Sequence, residues 1–108
     1  MAWTVETLSE TVDEELRALP AEMRARFVRI CGLIAAVGLE RMGAPHVKHL
    51  TGALWEMRMT GRDGISRALY VTAPDRRVVV VRVFVKKTQR TPKREIALAL
   101  RRAGEISR

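Results

Sequence analysis

Five cationic side chains lie within nine residues of the stretch FVKKTQRTPKREI, at positions 84–96. They are Lys86, Lys87, Arg90, Lys93 and Arg94. The apolar segment VVVVRVFV leads into this stretch, so the cations follow the end of a predicted buried strand. Because cationic side chains form strong hydrogen bonds to phosphate oxygens, the cluster is suited to binding a phosphate-bearing partner.

Two arginines and a glutamate in the preceding strands extend this charged set. In LWEMRMT (54–60), alternation places Glu56 and Arg58 on the face opposite the Trp–Met–Met row. Arg67 lies inside the apolar stretch GISRALY, where an unpaired guanidinium is too costly to bury. One interpretation is a cross-strand pair between Arg67 and Glu56. The other is that cations converge on one concave sheet surface and hold a phosphate: Arg58, Arg67, Lys86 and Lys87.

The elements that position these residues follow from the period of the apolar pattern. In chain order we predict a strand at 3–8, helices at 10–19 and 20–37, strands at 54–60, 65–72 and 77–85, and a last helix at 92–106. Ser9 and Thr91 are predicted as N-caps, and Pro20 and Pro92 as first helical residues. Core-facing positions of the second helix are expected at Met23, Phe27, Ile30, Leu33, Ile34 and Val37.

Tight turns join the last three predicted strands. GRDG (61–64) and APDRR (73–77) are turn sequences, so these strands are expected to form an antiparallel meander. RVVVVRVFV (77–85) is apolar at nearly every position, which indicates a strand buried on both faces. The prediction is a single α+β domain over residues 1–108, with an N-terminal strand and helical hairpin packed on the sheet, a C-terminal helix, and all helices on one side. The amphipathic C-terminal helix would present Ile96, Leu98 and Leu100.

The charge distribution narrows the class of partner. The 108 residues carry a net charge of +8, but residues 1–23 hold six acids and one arginine, a net of −5, whereas residues 24–108 have a net of +13. Such a field favours RNA, DNA or an acidic protein segment as partner. The alternative is that the basic surface serves solubility alone.

Other classes of protein and site lack support in the sequence. No apolar segment approaches the length of a membrane span, no secretory signal is visible, and the single Cys31 fits a reducing compartment, so we expect a cytoplasmic protein. His46 and His49 are three residues apart with one remote cysteine, which does not predict a zinc site. We expect no cofactor and no metal.

Three stretches resemble the RelE/ParE toxin superfamily. They are LPAEMRARFVRICGLI, PHVKHLTGALWEMRMTGRDGISRALYV and FVKKTQRTPKREIALALRRAGE. The last of these resembles the phage-derived, HigB-like branch, in which a KK…TP sequence precedes an amphipathic helix. Together they cover nearly the whole chain in the order found in that superfamily.

The resemblance implies the toxin of a type II toxin–antitoxin pair. Most such relatives cleave mRNA at the ribosome without metal or cofactor, and a cognate antitoxin, often a helix–turn–helix protein, neutralises them in a hetero-oligomer. By position, the implied catalytic residues are Arg58, Arg67, Lys86, Lys87 and Glu56. The implied RNA-binding residues are Lys48, His49, Arg90, Lys93 and Arg94.

Metal-free RNA cleavage needs charge stabilisation and proton transfer. Arg58 and Arg67 suit the first, because a guanidinium stays protonated at any working pH. The candidates for proton transfer are a crowded lysine, the glutamate and the histidines: Lys86 or Lys87, Glu56, and His46 or His49.

Two other functions stay open on the sequence. Several RelE-like nucleases carry a tyrosine or histidine near the C-terminal end of the site, and this chain has neither after Phe84. Tyr70, its single tyrosine, lies on the opposite side of its strand from Arg67. The alternatives are a noncatalytic, ParE-like inhibitor of DNA gyrase and a phage-derived nucleic-acid-binding protein.

Overall fold

The computed structural model of the protein describes residues 2–43, 46–62, 64–86 and 90–106. In chain order the elements are β1 (Thr4–Thr7), α1 (Glu10–Arg17), α2 (Ala21–Val37), a 3-10 turn (Leu39–Arg41), β2 (Val47–Thr51), β3 (Leu54–Gly61), β4 (Gly64–Ala73), β5 (Arg77–Lys86) and α3 (Lys93–Ala103). Within these ranges no helix is long and apolar enough to cross a membrane.

The five strands form one mixed sheet in the order β1-β5-β4-β3-β2. Strands β3, β4 and β5 make the predicted antiparallel meander, and β1 adds to β5 in parallel. Strand β2, which the apolar pattern did not predict, pairs antiparallel with β3 at the edge of the sheet. Its sequence VKHLT is largely exposed, so it lacks the alternation that marks a half-buried strand.

The helices cover both faces of the sheet, so the prediction that they lie on one side is wrong. Helices α1 and α2 pack on what we call the hairpin face, whose buried side chains are Met57, Met59, Ala68, Tyr70, Val78, Val80 and Val83. Helix α3 packs on the opposite face, the α3 face, whose buried apolar side chains are Leu54, Leu69, Val71, Val79, Val81 and Phe84. Strand β5 contributes to both cores, as its continuous apolar sequence predicted.

Helices α2 and α3 bury fewer of their predicted apolar residues than expected. Four of the six predicted core positions in α2 are buried: Met23, Phe27, Ile30 and Ile34. Leu33 is half-buried, and Val37 is 46% exposed because the helix ends there. On α3 the core stripe contains Ile96, Ala99 and Ala103, whereas Leu100 is 45% exposed.

The helix starts differ from prediction by one residue. Pro20 and Pro92 are the N-cap residues of α2 and α3 instead of their first helical residues. Ser9 is the N-cap of α1, but its side chain does not cap the helix. The hydroxyl of Thr91, which was expected to cap α3, bonds elsewhere, and its partners define the site described next.

Candidate functional site

The strand register brings most of the predicted site residues to the α3 face. Arg58 of β3 lies directly opposite Arg67 of β4, and Arg67 lies opposite Phe84 of β5. One row away, Glu56 lies between Lys48 of β2 and Leu69 of β4. Side chains paired across neighbouring strands share a face, so Lys48, Glu56, Arg58 and Arg67 form one contiguous surface.

Glu56 is the centre of a hydrogen-bonded group on this surface. Arg58 Nε donates to Glu56 Oε2 at 2.6 Å, and the Thr91 hydroxyl donates to Glu56 Oε1. Arg67 Nη1 donates to Thr91 Oγ1 at 2.8 Å. We call Glu56, Arg58, Arg67 and Thr91 the Glu56 cluster. It joins the neighbouring strands β3 and β4 to Thr91, which lies two residues before α3 and far from both strands in sequence.

The electrostatics of the Glu56 cluster are unfavourable for a purely structural feature. Two arginines face each other across adjacent strands, an arrangement that destabilises a sheet. Burial lowers the pKa of Arg67 from its ordinary value, Glu56 raises it, and Arg58 lowers it further. Arg67 nonetheless stays protonated at physiological pH. Two cations and one carboxylate leave the cluster with an excess positive charge close to the surface.

Two charged residues of β5 and α1 hold α3 in place beside this cluster. Arg82 forms ion pairs with Glu95 of α3 at 2.7 Å and with Glu15 of α1 at 2.8 Å. Arg102 of α3 also pairs with Glu15, at 2.9 Å, and donates to the Val81 carbonyl at 2.9 Å. These contacts fix the start of α3 over the sheet and keep Thr91 against Glu56.

Accessibility differs sharply within the Glu56 cluster. Glu56 and Arg67 are fully buried, whereas the Arg58 side chain is 24% exposed. In this conformation Arg67 contacts Thr91 and not solvent. The phosphate contact that the sequence predicted for Arg67 is therefore not available to it. Arg58 is the guanidinium of this group that reaches the surface.

The remaining predicted residues fall into three groups. Lys86, the last residue of β5, is half-buried and lies opposite Ile65, one row beyond the Arg58–Arg67 row. Exposed cations surround the start of α3 and the edge of the sheet: Lys48, Arg90, Lys93 and Arg94. Lys87 lies outside the described residues.

The two histidines do not join the cluster. His49 lies opposite Trp55 on β3, so it belongs to the face away from Glu56. Its ring packs edge-on against Trp55 with a centroid distance of 4.9 Å, and Nε2 lies 2.8 Å from the Gly52 carbonyl oxygen. His46 precedes β2 and faces helix α2. In the described ranges, no group of three or more His, Cys, Asp or Glu residues is placed to hold a metal ion.

Sequence reasoning missed two features of this region. The Thr91 hydroxyl was assigned to helix capping because Thr–Pro is a common helix start, and only the packing of α3 brings it to Glu56. The second feature is a basic lining on α2, formed by Arg26 and Arg29. Its signal was present in the sequence, because the positive excess begins at residue 24.

Comparisons with known proteins agree with this architecture. The family model described as "Phage derived protein Gp49-like (DUF891)" matches residues 14–104. The fold is similar to the free-state structure of an E. coli RelE toxin mutant with two arginines changed to alanine: the TM-score is 0.66 at 18% identity, covering 94% of this chain and 98% of that chain. It is also similar to the archaeal RelE–RelB complex structure from Pyrococcus horikoshii OT3, with a TM-score of 0.55 at 23% identity, covering 79% and 96%. No curated protein matches the sequence.

The comparisons confirm the predicted RelE-like α+β fold and the resemblance to a phage-derived family. The family match includes every residue of the Glu56 cluster and all of α3. At these identities the two solved structures are evidence of fold, and they leave the chemistry of the site to be argued from its own residues.

Proposed function

Since the chain belongs to the Gp49-like family of phage-derived proteins and has the fold of RelE, we propose that it is the toxin of a type II toxin–antitoxin pair. We propose further that it is an endoribonuclease that cleaves translated mRNA at the ribosome without a metal ion. The observation that carries this proposal is the Glu56 cluster: two like charges opposite each other, with a buried carboxylate between them. A fold has no need of such an arrangement, and functional sites commonly retain one.

In the proposed reaction the ribose 2′-hydroxyl loses its proton and its oxygen attacks the adjacent phosphorus. The bond from phosphorus to the 5′-oxygen breaks, the leaving 5′-oxygen takes up a proton, and a 2′,3′-cyclic phosphate remains. The transition state gains negative charge on the phosphoryl oxygens, and a fixed cation stabilises that charge. Arg58 is assigned this role because its guanidinium reaches the surface and because Glu56 holds its Nε at 2.6 Å. A guanidinium held in place needs little reorganisation when the charge develops.

Glu56 and Arg67 act behind Arg58 in this proposal. Both oxygens of Glu56 already accept hydrogen bonds, from Arg58 and Thr91, so we assign Glu56 to orienting Arg58 and not to proton transfer. Arg67 holds Thr91 and balances the buried carboxylate. Proton transfer is assigned to Lys86, the last residue of β5, or to Lys87, which follows it in the sequence.

The proposed partners follow from charge. Exposed cations around the α3 start (Arg90, Lys93, Arg94) and Lys48 would contact the RNA backbone, since phosphate contacts from Lys and Arg dominate such affinity. The archaeal structure pairs its RelE with RelB, and by analogy an acidic segment of a helix–turn–helix antitoxin would cover this surface in a hetero-oligomer. We place the protein in the cytoplasm, where translated mRNA is found.

The test is cleavage of a defined mRNA in a purified translation system, with new 5′ ends mapped by primer extension. We expect discrete cuts that require ribosomes. Arg58→Ala should reduce the cleavage rate by about 10²–10³-fold, as for loss of one fixed donor to a developing charge. Arg41→Ala removes an exposed cation outside the Glu56 cluster and should cleave at the native rate.

Two results would contradict the proposal in different ways. Intact mRNA together with growth arrest in cells would indicate a noncatalytic target such as DNA gyrase. Intact mRNA without growth arrest would leave a nucleic-acid-binding protein. If Arg58→Ala cleaves mRNA at the native rate, the protein is still a nuclease, but Arg58 does not have the role assigned to it.

A further inference from the structure

A groove lies between helix α2 and residues 58–60 of strand β3. It consists of two adjoining cavities of about 120 and 700 Å³ that share four lining residues: Arg26, Arg29, Leu33 and His46. Arg58 and Thr60 of β3 complete the inner cavity. We call this the α2–β3 groove.

The polar lining of the α2–β3 groove is cationic. Arg26, Arg29 and Arg58 bring three guanidinium groups, His46 adds an imidazole, and among the described residues no acidic side chain lines the groove. Arg26 and Arg29 are three residues apart on α2, so they project from the same side of the helix. Over the described ranges, neither is in an ion pair.

Several arginines elsewhere among the described residues form ion pairs with carboxylates of the chain, which Arg26 and Arg29 do not. Arg17 pairs with Glu10, and Arg77 pairs with Glu6, although both arginines are at the surface. In the α2–β3 groove, two exposed guanidinium groups share a concavity with no ion-pair partner among the described residues. Like charges held together in this way are unfavourable until an anion occupies the space between them.

Arg58 connects the groove to the Glu56 cluster. Its side chain lines the inner cavity and its Nε bonds Glu56, so it lies at the boundary of the two regions. The backbone N–H of Arg58 donates to the His46 carbonyl oxygen at 2.9 Å, so the backbone holds Arg58 beside His46, which also lines the inner cavity. A polyanion bound at the cluster would therefore continue into the groove.

We propose that the α2–β3 groove binds backbone phosphates of the same RNA strand, next to the phosphate at which the strand is cleaved. The inference rests on the proposed function and adds a second subsite to it. RNA is favoured over an acidic protein segment because Arg58 joins the groove to the Glu56 cluster, where the RNA is proposed to be cleaved. The apolar side chains of the lining are Ala25, Ile30 and Leu33. Guanidinium groups bind phosphates in bidentate fashion and stack on unpaired bases, which suits single-stranded RNA.

The experiment measures binding of a dye-labelled single-stranded RNA by fluorescence anisotropy over a range of salt concentrations. Every 2′-hydroxyl of the probe is methylated, so that it cannot be cleaved by attack of its own ribose. The double variant Arg26→Ala, Arg29→Ala should bind roughly tenfold more weakly at low salt. Its salt slope should be lower by about 1.4, since each lost phosphate contact contributes about 0.7 on a single strand.

A matched control separates the groove from total charge. Arg41→Ala combined with Arg101→Ala also removes two exposed cations, but neither lines the groove. This control should keep native affinity except for a small uniform decrease. Circular dichroism and the thermal midpoint confirm that both double variants are folded, as expected for substitutions at exposed positions.

The outcomes distinguish this inference from the function on which it rests. If the native protein binds the RNA and the groove variant matches it in affinity and salt slope, the groove is not an RNA subsite. If that variant instead loses affinity for a glutamate-rich peptide, the groove binds an acidic protein segment, and the inference is overturned. If the native protein does not bind the RNA, the subsite is overturned, whereas the proposed function is decided separately by cleavage of mRNA in the presence of ribosomes.

Discussion

The two faces of strands β3 and β4 share one backbone and carry opposite chemistry. On the hairpin face, Met57 and Tyr70 are buried in an apolar core. On the α3 face, Glu56, one residue from Met57, and Arg67, three residues from Tyr70, are buried just as completely but are charged. Burying apolar side chains stabilises the fold, whereas buried ion pairs are often no more stable than apolar replacements. The hairpin face therefore accounts for the fold, and the α3 face carries charges that the fold does not require.

The largest expected effect on stability is on the hairpin face. Met57→Ala removes a fully buried side chain from the main core and should lower the free energy of unfolding by about 2–5 kcal/mol. Urea denaturation followed by circular dichroism measures this change. A loss below about 1 kcal/mol would mean that the hairpin face is not the main source of stability.

A smaller effect on the free energy of unfolding is expected at high pH, because an ionised side chain is unfavourable in the apolar core of the hairpin face. Burial raises the pKa of Tyr70 to about 12. The unfolded chain loses this proton at about pH 10, so the folded state binds more protons between pH 10 and 12. Stability is therefore unchanged by this group below pH 10 and falls by about 3 kcal/mol as the pH rises to 12.

Tyr70 is the single tyrosine of the chain, so its ionisation is visible directly in the near-ultraviolet absorbance. The native protein should form tyrosinate near pH 12, and Tyr70→Phe should remove both the absorbance change and this part of the stability loss. Tyrosinate formation at pH 10 in protein that is still folded would show that the hairpin face admits solvent.

The sequence predicted side-chain direction better than it predicted tertiary packing. Alternation along β3 placed Glu56 and Arg58 opposite the methionines, and the structure agrees because period-two alternation is a local property of a strand. The side of the sheet covered by α3 was predicted wrongly. An amphipathic helix has an apolar stripe, but the stripe does not specify which of two apolar sheet faces it will meet.

The partners of individual site residues depended on that packing. Thr91 bonds Glu56 only because α3 crosses the α3 face, and Arg67 is covered for the same reason. The position of Arg26 beside Arg58 also required the angle at which α2 crosses β3. The charges and residue types of the site could be predicted from the sequence. The enclosure of Glu56 and Arg67 could not.

The most direct test of the central claim is Arg67→Met, in which a buried cation is replaced by an apolar side chain of similar length. Glu56 keeps Arg58 and Thr91 as partners, so we expect the free energy of unfolding to change by less than about 1 kcal/mol. Ribosome-dependent cleavage should fall by about 10²-fold, because Arg58 is no longer held by a balanced cluster. A variant that loses several kcal/mol of stability while its folded fraction cleaves at the native rate would show that the buried charges serve the fold and not the reaction.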